Sequence, residues 1–116
     1  MISAAGKAAA GQKLKGILGL AMKAGKVLSG EFSCENGIKA GKARFCLIAA
    51  DSSEGTRNKF IHMCDYRGIP YDTVCYNREE LGHIIGKQPR AVLIITGDGF
   101  ADNVIRIIKG GYADGQ

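Results

Sequence analysis

The chain has 116 residues, of which 46% are apolar and 23% charged, with a net charge of +5. This length suits one domain with its own core, and the composition excludes intrinsic disorder. No apolar run approaches the roughly 20 residues that cross a bilayer, and no signal peptide is visible, so we expect a cytoplasmic protein without membrane contact. The four cysteines form no C-x-x-C pair, which argues against a zinc or redox motif.

The positive charge is concentrated in the first half of the chain. Residues 1–50 carry eight lysines and arginines against two glutamates, a net +6, whereas residues 51–116 carry eight against nine acidic residues, a net −1. A basic half on a small domain indicates a polyanionic partner, and nucleic acid is the first candidate. A solvated lysine surface explains the charge about equally well. If nucleic acid binds, its affinity should fall steeply with salt, because neutralised phosphates release counterions.

The first half of the chain is predicted to form a helix, a strand, a second helix and a second strand. Residues 1–11 are small and weakly patterned and are predicted to be a flexible end. A helix follows from about Gln12 to Lys23, where apolar residues keep helical spacing and Gly25 provides a stop. Residues 27–28 are predicted as a very short strand and residues 30–40 as a second helix. A strand is predicted at residues 44–50, because residues 45–50 form an unbroken apolar run, typical of a strand covered on both faces.

The second half repeats the alternation. Asp51 and Glu54 have the composition of a capping box that opens a third helix, which Gly68 ends. Strands are predicted at residues 71–75 and 91–96, with a fourth helix between them that begins at a second capping box, Asn77 to Glu80. A last helix follows residues 97–99, and residues 111–116 are a tail. The pattern predicts one domain over residues 12–110, an α/β/α three-layer sandwich around a mixed sheet of about four strands.

No catalytic motif emerges. The Gly-Lys pairs at 25–26 and 41–42 lack the spacing of a phosphate-binding loop. Gly97-x-Gly99 hints at a dinucleotide turn, but Asp102 occupies the place of the third glycine. His62 and His83 are isolated. We therefore expect no enzyme, no cofactor and no metal. Two alternatives to nucleic-acid binding stay open: a protein-interaction module on a ribosome or assembly factor, and a small nucleotide-binding α/β enzyme that uses the 97–99 turn.

A series of short motifs in one order resembles a known family. The series runs L-G-L-A-x-x-A-G-K (residues 18–26), Ser29-Gly30-Glu31, a second Gly-Lys, L-I-A-x-D, G-I-P-Y and E-E-L-G, and spans roughly residues 14–109. It is similar to the kink-turn RNA-binding superfamily, which includes ribosomal proteins L7Ae and L30e, and most like its bacterial YlxQ-type branch. The resemblance implies a non-catalytic, ribosome-associated protein that binds structured RNA, ribosomal RNA first. We expect a monomer.

The resemblance also implies where RNA binds. The implied RNA-binding residues are Lys26, Ser29, Gly30, Glu31, Phe32, Ser33, Asn36, Lys39, Lys42, Gln88 and Arg90. Kink-turn readers follow the glycine with a small residue, Asn and Glu, whereas this chain has Glu31, Phe32 and Ser33. Because that reading pair is absent, kink-turn RNA is predicted to bind no better than a matched bulged duplex.

Two of these positions carry specific expectations. Phe32 either stacks on a base or packs beneath the second helix, and the two interpretations are about equally supported by how aromatic residues are commonly used. Gly30 lets RNA approach the backbone closely. We therefore expect Gly30→Ala to weaken binding more than Lys26→Ala does, with an unfolding midpoint near that of the wild type.

Overall fold

The computed structural model describes residues 4–74 and 76–113, with side chains for 11–74 and 76–110, and in these residues helices and strands alternate. The elements are α1 (Ala4–Lys23), β1 (Val27–Ser29), α2 (Glu31–Lys39), β2 (Phe45–Ile48), α3 (Glu54–Arg67), β3 (Tyr71–Thr73), α4 (Arg78–Ile84), β4 (Val92–Ile95) and α5 (Asp98–Ala113).

The four strands form one mixed sheet in the order β1-β4-β2-β3. β4 runs antiparallel to both of its neighbours, and β3 runs parallel to β2. The two continuous apolar runs of the sequence become β2 and β4, the central pair, in which every residue is buried. Parallel and central strands are covered on both sides, which accounts for the absence of polar alternation in these runs.

Each face of the sheet carries its own apolar core. Alternation along β4 sends Leu93 and Ile95 to one face and Val92 and Ile94 to the other. The first core also contains residues of α1, α4 and α5, including Leu14, Leu18, Leu81, Val104 and Ile108. The second contains residues of α2 and α3, including Cys34, Ile38, Phe60 and Cys64. The predicted three-layer α/β/α fold with a mixed four-stranded sheet is thus confirmed.

The strand directions divide the loops between two ends of the sheet. β1 and β2 run the same way, because both are antiparallel to β4, which lies between them. The residues before β1 and β2 and after β4 therefore meet at one end. The residues after β1 and β2 and before β4 meet at the other end. We name the second end the Gly30 edge, formed by residues 29–33, 51–57 and 88–90.

The outer helices are longer than the sequence pattern indicated. α1 begins at Ala4 instead of near Gln12, and α5 runs through Ala113, past the glycine pair expected to end it. The alanine-rich start of the chain has high helix propensity, which does not require an apolar stripe. Residues 1–3 and 114–116 lie outside the described residues. The predicted flexible end, single domain over 12–110 and tail stay predictions.

One of the two predicted capping boxes is wrong. Asp51 does not cap α3. Instead, Ser53 is the N-cap, and its Oγ accepts a hydrogen bond from the Thr56 N–H at 3.1 Å. Asp51 Oδ1 accepts from the Arg78 N–H at 2.8 Å, at the start of α4. The helix begins two residues later than the Asp51 box required, which puts threonine, not glutamate, at the third helical position. The box at Asn77 and Glu80 is confirmed.

Candidate nucleic-acid interface

The turn between β1 and α2 depends on the glycine at position 30. Gly30 has φ 87° and ψ 156°, a backbone conformation that is nearly restricted to glycine. Its N–H donates to the Val92 carbonyl at 3.1 Å, and its carbonyl accepts from the Cys34 N–H at 3.0 Å. These bonds fix the chain between β4 and the first turn of α2.

No side chain caps the start of α2. A helix leaves its first N–H groups unpaired, and together with the helix dipole they form a site that favours anions such as phosphate. α3 also begins at the Gly30 edge, and α4 begins beside it, where the Arg78 N–H donates to Asp51. Ser53 caps α3, and the Asn77 capping box caps α4. Of these three helix starts, that of α2 is the one at which no side chain caps any of the first N–H groups.

Arg90 holds a positive charge beside this open helix start. Its Nε donates to Ser29 Oγ at 3.0 Å, and its Nη1 donates to the carbonyls of Gln88 and Pro89 at 3.1 and 3.2 Å. A Cβ built on Gly30 would lie 3.9 Å from Arg90 Cδ and Nε, so the two residues are in near contact. The guanidinium is therefore held in place by short-range bonds before any ligand arrives.

Phe32 presents an aromatic ring to solvent in the first turn of α2. The side chain is 80% exposed, which rules out the interpretation that it packs beneath the helix. Ser33 beside it is exposed as well. An exposed ring next to backbone donors and a fixed cation offers a surface on which a nucleic-acid base stacks.

The edge also includes the start of α3, where none of the predicted RNA-binding residues lies. Thr56 Oγ1 donates to Glu31 Oε2 at 3.2 Å and accepts from Ser53 Oγ at 3.0 Å. This contact draws the Glu31 carboxylate towards α3. Arg57 Nη2 donates to the Ala50 carbonyl at 3.3 Å, while its Nε is buried without a hydrogen-bond partner. The capping residues at 53–56 were the sequence signal for this helix start. The hydrogen bond that joins them to Glu31 spans 25 residues along the chain, so no local pattern indicates it.

The structure separates the predicted RNA-binding residues into two groups. Those at the Gly30 edge are Ser29, Gly30, Glu31, Phe32, Ser33, Gln88 and Arg90. Lys26 lies before β1, and four residues of extended chain place it about 13 Å from Gly30. Lys39 and Lys42 lie at the far end of α2, and Asn36 is exposed between the two ends. The fold therefore does not place all of these residues on one continuous binding face.

An ion-pair cluster connects α2 to α3. Glu35 accepts from Lys59 Nζ at 2.7 Å and from Lys39 Nζ at 2.9 Å. Lys59 first and Lys39 second lower the pKa of Glu35 from 4.5 to about 2. Since the exposed Lys39 ammonium already pairs with Glu35, its predicted phosphate contact would compete with this carboxylate.

The thiol beside the Gly30 edge, Cys34, is buried, and its Sγ lies 3.4 Å from the Leu28 carbonyl. Burial raises the pKa of Cys34 to about 12, which keeps it protonated and unreactive. In the described part of the chain, no three His, Cys, Asp or Glu side chains gather as metal ligands would. None of the described helices is long and apolar enough to span a membrane.

Two curated relatives cover most of the chain. RNA-binding protein YlxQ of Bacillus subtilis is 38% identical over 92 residues, 79% of this chain and 91% of the relative. RNA-binding protein YlxQ of Enterococcus faecium is 35% identical over 99 residues, 85% of this chain and 94% of the relative.

Solved structures share the fold. A protein of unknown function from Bacillus halodurans superposes with a TM-score of 0.79 at 30% identity, covering 84% of this chain and 97% of that one. The Giardia lamblia 15.5 kD RNA binding protein gives a TM-score of 0.72 at 20% identity, with coverages of 90% and 88%, a likeness of fold alone. Residues 12–105 match a single family model, and the chain belongs to the ribosomal protein L7Ae/L30e/S12e/Gadd45 family.

Proposed function

We propose that this protein binds structured RNA at the Gly30 edge and catalyses no reaction. The observation that carries the proposal is the uncapped start of α2 at Gly30, with the Arg90 guanidinium fixed near Gly30 and the Phe32 ring exposed in the first turn of the helix. Membership of the family and the RNA-binding names of the curated relatives support the same function.

Each part of the edge has a distinct task in this proposal. The free N–H groups of α2 and the Arg90 guanidinium bind phosphate, which positions the RNA backbone. Gly30 leaves room for that backbone, since it projects no side chain. Phe32 stacks on an unpaired base, an interaction that needs a bulge, loop or end and hence favours structured over fully paired RNA.

The RNA that we propose is ribosomal, and the protein is proposed to be a cytoplasmic, ribosome-associated monomer. Kink-turn motifs are not proposed as preferred targets. The family's reading pair is Asn-Glu, and its positions hold Phe32 and Ser33, which lack an amide and a carboxylate for hydrogen bonds to base edges. Recognition here therefore rests on backbone contacts and stacking.

Fluorescence anisotropy with a bulged fragment of ribosomal RNA tests the proposal. Phe32→Ala should weaken binding by the roughly 1–3 kcal/mol that one base–aromatic stack provides. Tyr66→Ala is the matched control, because Tyr66 is an equally exposed aromatic residue, 82% against 80%, on α3. Arg90→Ala should weaken binding too. If both edge variants bind as the wild type does, RNA does not dock at the Gly30 edge.

Specificity is tested by a gain of function. Phe32→Asn combined with Ser33→Glu restores the family's reading pair and should raise the ratio of kink-turn to bulged-duplex affinity above the value near one expected for the wild type. A wild-type protein that already discriminates strongly would show that other residues read the kink-turn.

A further inference from the structure

The tripeptide Ala-Gly-Lys occurs three times in the chain. The copy at residues 5–7 lies within α1, whereas the copies at residues 24–26 and 40–42 fold into the same turn. In Ala24-Gly25-Lys26, the lysine N–H donates to the Ala21 carbonyl at 2.9 Å and the glycine N–H to the Met22 carbonyl at 3.0 Å. In Ala40-Gly41-Lys42, the corresponding bonds reach Gly37 at 2.9 Å and Ile38 at 3.1 Å. The glycines have φ 73° and 74°. These are two Schellman turns, each of which ends a helix and delivers a lysine just beyond it.

The two lysines reach the same end of the sheet, opposite the Gly30 edge. The Lys26 carbonyl accepts from the Thr96 N–H at 2.9 Å, just past the end of β4. Arg44, two residues after Lys42, donates its N–H to the Ile95 carbonyl at 2.7 Å on the other side of β4. The strands that follow the two lysines are two positions apart in the sheet, about 10 Å. We name Lys26, Lys42 and Arg44 the Lys26 edge.

The positive charge of this edge is largely unneutralised. Lys26 and Lys42 are exposed, and neither has an ion-pair partner among the described residues. The nearby carboxylate of Asp98 is taken by Arg44, at 2.8 Å from Nε to Oδ1. The two backbone bonds of each Schellman turn already occupy two of the last carbonyls of each helix, those of Ala21 and Met22 in α1 and of Gly37 and Ile38 in α2.

We propose that the Lys26 edge is a second RNA-binding surface, which holds the phosphate backbone of a segment other than the one at the Gly30 edge. The inference rests on the proposed function, that the chain binds RNA. Flexible lysines contact phosphates as point charges, whereas lysine is depleted from protein–protein interfaces, so RNA fits this edge better than an acidic protein. Because the sheet separates the two edges, the protein would bridge two RNA segments.

The test compares two double variants of equal charge. Lys26→Ala with Lys42→Ala removes both lysines of the edge, while Lys13→Ala with Lys109→Ala removes the same charge from exposed positions in α1 and α5 that belong to neither edge. Native mass spectrometry with a short bulged RNA hairpin at low salt should show two hairpins on the wild type and the control. The Lys26/Lys42 variant should hold one. The slope of the logarithm of the overall RNA-binding constant against the logarithm of salt concentration should be smaller by about 2 than in the control, because each lysine makes about one phosphate contact.

A second pair of variants separates this inference from the proposed function. Phe32→Ala with Arg90→Ala should leave one hairpin, held by the Lys26 edge. If the wild type binds one hairpin and the lysine pair behaves as its control, the second surface does not exist, although RNA binding at the Gly30 edge stands. If one hairpin binds and only the lysine pair removes it, the proposed Gly30 site fails instead.

Two further results would overturn the second surface. A lowered unfolding midpoint of the Lys26/Lys42 variant with an unchanged salt slope would show that the lysines only offset the negative helix ends. In the second result, the wild type binds polyglutamate more tightly than RNA of equal charge, and the Lys26/Lys42 variant loses that binding. This would identify an acidic protein as the partner.

Discussion

Gly30→Ala tests how much the backbone conformation at the Gly30 edge contributes to stability and to RNA affinity. An added Cβ would meet its nearest heavy atoms, Arg90 Cδ and Nε, at 3.9 Å, which is an ordinary contact. The cost therefore comes from the backbone, because φ 87° with ψ 156° is strained for alanine by about 1–3 kcal/mol. For a domain of this size, that lowers the unfolding midpoint by about 4–12 °C, at roughly 4 °C per kcal/mol. The sequence-based expectation of an unchanged midpoint is revised accordingly.

RNA affinity should fall as well, because alanine relaxes towards negative φ and moves the first turn of α2 away from Arg90. We expect a loss of at least tenfold, or about 1.4 kcal/mol, measured well below the unfolding midpoint. Gly68→Ala is the control: Gly68 has φ 68° at the end of α3, with nothing within 4 Å of an added Cβ. It should destabilise the fold and leave affinity unchanged. A Gly30→Ala protein as stable as the wild type, or one that is destabilised yet binds RNA normally, would refute the reasoning.

Three other changes test the framework around the edge. Gly82→Ala places a Cβ in collision with the Gln88 carbonyl oxygen, so the backbone that carries Arg90 must move. Both stability and RNA affinity should fall, and wild-type affinity would contradict this. Asn77→Ala removes the capping box of α4 and should cost about 1 kcal/mol in urea unfolding, whereas an unchanged midpoint would show the cap to be dispensable. The folded pKa of Glu35, about 2, lies below its ordinary 4.5, so its stabilising effect is full above pH 4.5 and lost as the pH falls towards 2. The difference in thermal midpoint between wild type and Glu35→Gln should shrink over this range, and a constant difference would contradict the pKa shift.

Local patterns predicted the parts of the fold that depend on local physics. Strands β2 and β4 were visible because both faces of each are buried, which leaves four consecutive buried residues in each. The Asn77 box was visible because capping is settled within four residues. Asp51 looked equally suitable, yet its carboxylate binds the start of α4, 27 positions away along the chain. Composition alone does not show such long-range competition.

Closeness in sequence also failed to predict which residues share the candidate site. Lys26 and Gly30 are four residues apart, and their closeness in sequence suggested one binding face. The intervening strand is extended, so it carries them to opposite ends of the sheet. Conversely, Thr56 joins the site through a hydrogen bond to Glu31 that no sequence pattern indicates. Phe32 could not be assigned to core or surface from the sequence, because the apolar face of α2 is thin and consists of Cys34, Gly37 and Ile38.

An NMR titration of the wild-type protein with bulged ribosomal RNA tests the central claim most directly. At physiological salt, where purely electrostatic contacts weaken, the largest chemical-shift changes should occur at the backbone amides of Glu31 and Phe32 and at the Arg90 Nε–H. Largest changes on the exposed faces of α1 and α5, with the first turn of α2 unperturbed, would show that RNA binds elsewhere on this protein.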